Sequence, residues 1–151
     1  MAIGNTKVDD ILKRVNLLSE TIAWVKTFDS ATKNDVLNWI REDQLRNKGV
    51  NKFGEVIGYY KFSTEVISLG RKRAGEPYDL YDSGDFYRSM FVTVTSENII
   101  IDANSLSFSE MKTQRWYTDS ILGLTNENFE KLKRVVQRSY IKYAKEVLQI
   151  V

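Results

Sequence analysis

Residues 79–90 read DLYDSGDFYRSM, with aspartates at 79, 82 and 85, a glycine at 84 and an arginine at 88. Clustered carboxylates are the raw material of cation sites. A calcium loop of the EF-hand type places ligands at every second residue around a central glycine and closes on a glutamate. Here the spacing is three and no glutamate closes the run, so the match to calcium is poor. A two-metal hydrolase needs carboxylates from separate elements, usually with a lysine. Asp79, Asp82, Asp85 and Asp102, with Lys72, are what such a site would draw on, and nothing in their spacing favours it.

The remaining composition narrows the chemistry further. The 151 residues contain no cysteine and no histidine. Disulfides and thiolate zinc sites are excluded, and the commonest general base and metal ligand is missing. An enzyme built from this chain would have to work with Asp, Glu, Lys, Tyr and Ser. A net charge of +2 points neither to nucleic acid nor to an anionic membrane. At 42% hydrophobic and 12% aromatic residues, the chain can fill one core, so residues 1–151 are expected to form a single domain. No apolar run approaches the ~18 residues of a membrane span. The opening MAIGNTKVDD lacks a basic stretch followed by an apolar one, so no signal peptide and no membrane partner are expected, and a soluble intracellular protein is.

A structural use of the same motif is better specified. Ser83 is a suitable N-cap, Gly84 permits a sharp turn, and Asp85 falls in the first turn of a short helix, where negative charge is favoured. Phe86 and Met90 stand four apart and face the core together. Arg88 points to the other side, available to a carboxylate such as Asp82. Ser89 and Met90 lead directly into a strand beginning at Phe91.

The elements around this junction follow from periodicity. Val8, Ile11, Val15, Leu18, Ile22 and Val25 line one face of a helix over 8–27, widened by Leu12 and Leu17. The stripe is expected to pack into the core, with a helix seam between subunits as the alternative. A second helix spans 32–47, with Val36, Leu37, Ile40 and Leu45 inward, Trp39 near the edge and Gly49 ending it. The stretch 51–66 reads as a turn and a short extended piece, and Ser63 as the cap of one further helical turn. Residues 70–79, GRKRAGEPYD, read as a mobile loop. Its basic triplet Arg71, Lys72, Arg73 is either a solvated surface or a contact for DNA or an acidic partner. An antiparallel hairpin is expected over 91–95 and 98–102. The unbroken Ile99, Ile100, Ile101 implies a strand covered on both faces, by helices or by another subunit. Residues 103–120 show no period. Thr125 caps a last helix, with Leu124 and Phe129 placed for a hydrophobic staple, and its stripe runs from Phe129 to Leu148. The sum is an α+β fold: N-terminal helices and a long C-terminal helix packed on a small antiparallel hairpin.

The turn also resembles a known signature. Asp82, Ser83, Gly84, Phe86, Ser89 and Met90 occupy the places of an Asp-Thr-Gly-x-Leu-x-x-Ser-Ile motif, and a β-hairpin follows. This is similar to the tail-completion proteins of tailed bacteriophages. The segments QLRNKGVNKFGEVIGYY, YDLYDSGDFYRSM and ILGLTNENF are closest in style to the neck ring proteins of crAss-like phages. The resemblance spans about residues 44–130. Serine replaces threonine, phenylalanine replaces leucine, and the Gly-Thr stretch that precedes the last helix in that family is missing or reshaped into 103–120. The resemblance implies a structural virion protein, made in the host cytoplasm, that forms a homo-oligomeric ring of twelvefold or sixfold symmetry between portal and tail. Its partners would be other copies of itself, the portal and other neck or tail proteins, with passing contact to channel DNA. Such a ring would catalyse nothing, hold no cofactor or metal, and use Ile99–Ile101 and exposed aromatics among Trp39, Tyr59, Tyr60, Trp116 and Tyr117 as interface, with at least two of these five expected to fill the core instead. The alternatives are a nucleic-acid-binding adaptor centred on Arg71, Lys72 and Arg73, and a small metal-dependent hydrolase.

Overall fold

The computed structural model describes residues 7–19, 25, 27–113 and 120–150. In chain order they form α1 (Lys7–Ser19), α2 (Ser30–Asn38) continued by a π-helical segment (Trp39–Lys48), α3 (Phe62–Ile67), α4 (Asp85–Ser89), β1 (Met90–Val94), β2 (Ile99–Ala103), α5 (Leu106–Thr113) and α6 (Asn126–Leu148). The fold is α+β, with helices on a two-stranded antiparallel sheet. No helix among the described residues is long and apolar enough to cross a membrane.

Asp29 starts α2, its carboxylate accepting from the Thr32 amide at 2.8 Å. At Trp39 the winding widens, and Ile40, Gln44 and Leu45 all become fully buried. Gly49 ends the segment at φ +61, where a Cβ would come within 2.5 Å of Pro77. The hairpin pairs Met90 with Ala103 through Val94 with Ile99. Its turn is closed by the Thr95 amide donating to the Asn98 carbonyl at 2.8 Å. Val36, Ile40, Leu45, Phe86, Met90, Val92, Phe108, Ile121 and Leu132 make the core between these elements.

A polar node fastens α6 to the π segment. The fully buried Gln44 donates to the Gly123 carbonyl at 2.9 Å and accepts from the Thr125 amide at 2.9 Å. Asn128, also fully buried, donates to Gln44 Oε1 and to Asp43 Oδ2, both at 3.0 Å. Thr125 is the N-cap of α6, as its spacing predicts.

Several expectations need correction. The apolar stripe of α1 is not core: Val8, Ile11, Leu12 and Val15 are all exposed. It meets the body at α6, where Tyr140 Oη donates to the Leu18 carbonyl at 3.4 Å. Ile22 lies outside the described residues. Ser63 caps nothing, because α3 begins one residue before it and Lys61 stands at the cap. The extended piece forms isolated bridges, Val50 with Val56 and Tyr59 with Pro77. Residues 106–113 are a regular helix despite lacking a period, because a helix packing chiefly through Phe108 needs no full stripe. The loop over 70–79 is tied down: the Tyr60 amide donates to the Glu76 carbonyl at 2.9 Å, and the Tyr78 amide to the Gly58 carbonyl at 2.8 Å.

Candidate functional site

The aspartate-bearing stretch folds into a hydrogen-bonded knot. The chain doubles back at Gly58–Tyr60 against Glu76–Tyr78, which sets the Asp79 carboxylate beside Tyr60 and Lys72. Lys72 Nζ reaches both its oxygens, at 2.6 and 2.8 Å, Tyr60 Oη donates at 2.6 Å, and the Tyr81 amide donates at 3.0 Å. Tyr87 Oη donates to the Asp79 carbonyl. Burial pushes the Asp79 carboxyl up, but the Lys72, Tyr60 and Tyr81 donors outweigh it and hold the group below its ordinary value. Burial, aided by the nearby Asp79 charge, pushes the Tyr87 phenol up, so it stays a protonated donor. Rings close the knot from outside: Tyr81 stands edge-on to Tyr87 at 5.1 Å, and the Arg46 guanidinium covers Tyr81 at 4.3 Å.

Beyond the knot the turn departs from its expected detail. Gly84 is itself the cap, at φ +84, with Arg88 within 2.7 Å of where a Cβ would stand. The left-handed residue places Ser83 outside the helix, so Ser83 is not the N-cap. Its hydroxyl instead accepts from the Asp85 amide at 3.2 Å and donates to Asp85 Oδ2 at 2.7 Å. Arg88 pairs with Asp85, not Asp82, because one helical turn brings residues three apart together while Asp82 precedes the bend. The Ser83 and Arg88 bonds hold the Asp85 carboxyl below its usual range. Phe86 and Met90 are buried as expected, and Phe86 stacks on Phe108 at 5.1 Å. Ser89 Oγ donates back to the Phe86 carbonyl at 2.8 Å.

The three aspartates therefore diverge. Asp79 faces Lys72, Asp85 faces Arg88, and Asp82 is exposed. Among the described residues no group of three acidic side chains converges on a cation position. A cleft of about 630 Å³ lies over the turn, between Ile67 and Lys72 on one side and Asp82, Ser83 and Met111 on the other. Its wall is a lysine already satisfied by a carboxylate and a turn that is bonded to itself. Arg71, Ser107 and Glu110 also line it.

The basic triplet splits. Lys72 is drawn inward by Asp79, so it is not a surface contact, while Arg71 and Arg73 are exposed. Of the interface candidates, Ile99 and Ile101 pack on the core, whereas Ile100 remains 46% exposed beside Phe91 on the outer face. Among the described residues β2 thus buries one face and leaves the other partly exposed, not both covered as expected; an antiparallel hairpin with helices on one side alternates. Tyr59 is exposed, Trp39 packs against the core and Tyr60 belongs to the knot. Trp116 and Tyr117 lie outside the described residues.

Sequence reasoning missed the Lys72–Asp79–Tyr60 knot and the Gln44–Asn128 node. The first had a faint signal, a lysine inside a basic run seven residues before an aspartate. The second had none, since no pattern marks an asparagine one turn into an amphipathic helix as buried. Compared with protein-family models, with curated proteins and with solved structures, the chain matches none.

Proposed function

We propose that this chain is a structural, non-catalytic protein of a tailed-phage virion. Copies of it form a ring in the neck between portal and tail, joining head to tail and extending the DNA channel. The observation that carries this reading is the junction at 82–91. A glycine bend and one bonded helical turn aim rigidly into a hairpin whose outer face, Phe91 and Ile100, stays 41% and 46% exposed. A two-stranded sheet leaves both of its outer edges open and is marginal alone. Rigid aim and unfinished packing are what a ring subunit needs, because each copy must present one fixed patch to the next.

The test is native mass spectrometry and electron microscopy of the purified chain, alone and with the portal protein of the same phage. Closed rings of uniform copy number are expected. A chain that stays monomeric at tens of micromolar, roughly the working range of transient assemblies, and ignores portal would sink the proposal. The adaptor reading retains one observation, the exposed Arg71 and Arg73.

A further inference from the structure

Among the described residues two apolar surfaces stay open, and they differ in shape. One is the ridge of α1, where Val8, Ile11, Leu12 and Val15 are between 46% and 62% exposed. The other is a groove of about 520 Å³ between β2 and α6, lined by Ile99, Phe129, Leu132, Val136 and Tyr140. No residue of α1 lines it. The α1 helix hangs on its own α6 by the Leu18–Tyr140 bond with its ridge left open.

We propose that α1 of one copy lies antiparallel in the β2–α6 groove of the next copy. The proposal rests on the ring reading and supplies its contact. Length agrees: α1 has 13 residues, about 20 Å of helix, against about 16 Å from Phe129 to Tyr140 at the helical rise. Charge order favours one direction. Reading forward, α1 has Asp9 and Asp10 before Lys13 and Arg14; on α6, Glu127 and Glu130, which pair with Lys131 and Lys133 of their own helix, precede Arg134 and Arg138. Laid antiparallel, acid meets base at both ends and the helix dipoles oppose; laid parallel, like meets like. Exposed pairs of this kind set orientation more than strength, and the apolar ridge supplies the affinity. Ridge and groove are different patches, so each copy keeps one of each for a further neighbour, which is the rule for rings.

The absence of native cysteine makes the test clean. Val15→Cys and Phe129→Cys chains, prepared separately and mixed under mild oxidation, can join Val15 to Phe129 only between copies. A mixed disulfide dimer several-fold above either variant alone is expected. No mixed dimer, or an equal yield from Val15→Cys alone, which would signal pairing of two α1 helices, overturns the proposal. In parallel, an Ile11→Asp/Val15→Asp chain should keep its helical circular dichroism and lose assembly in native mass spectrometry. Rings that form equally well in that variant overturn this contact and leave the ring reading standing. A mixed dimer with no ring, even with portal present, supports the contact and removes the ring. Neither dimer nor ring removes both.

Discussion

Replacing Asp79 by Asn keeps acceptors for Tyr60 and the Tyr81 amide but removes the charge facing Lys72, whose side chain is only 18% exposed. The loss is expected to cost about 2 kcal/mol at pH 7, the range of a charged hydrogen bond in a half-buried setting. The sign with pH follows from the lowered folded-state value of Asp79. Its contribution is complete above the unfolded value, near pH 4, and disappears as pH falls through the folded one. Urea unfolding should therefore separate wild type from Asp79→Asn at pH 7 and narrow the gap between them near pH 3. An equal gap at both values would mean that shape, not charge, holds the knot.

At the scale of elements, the decisive joint is between the π segment and α6. Asn128→Ala strips Asp43 and Gln44 of a donor inside the core, and Gln44 keeps only the Thr125 amide on its Oε1. A cost of about 2–3 kcal/mol is expected, lowering Tm by roughly 4–12 °C in a chain of this size, read by calorimetry. The hairpin, α2 and α6 were legible from period and caps because each buries a repeating face. The turn at 82–90 was legible in outline, and its pairing was misread because a left-handed glycine shifts the frame by one residue. The α1 stripe was read correctly as apolar, but apolar pattern says that a face seeks cover and not whose. The widened winding after Trp39 was illegible, since the sequence of α2 runs through it without a break.

For the whole molecule, charge sorts the readings. With Lys72 committed to Asp79, Arg71 and Arg73 are the exposed members of the triplet. A contact that lines a channel should neutralise about two phosphates per copy, giving a salt slope near −2 in log–log form for double-stranded DNA. The Arg71→Ala/Arg73→Ala chain is expected to lose that slope and keep its oligomeric state, by fluorescence anisotropy and native mass spectrometry. A steep slope that survives the double variant would place DNA contact elsewhere on the surface.

The node at Gln44 and Asn128 grips α6 at its first turn, whereas the 23-residue helix runs on for about 34 Å with its final turns only partly covered. Clamped at its base and touched by α1 at Tyr140, α6 is a braced beam. A push on its free tip becomes torque at the clamp, and Leu132 and Val136, which share the groove with Ile99, hand part of it to the hairpin. A load applied to one copy would thus travel along a stiff beam and be felt at the sheet.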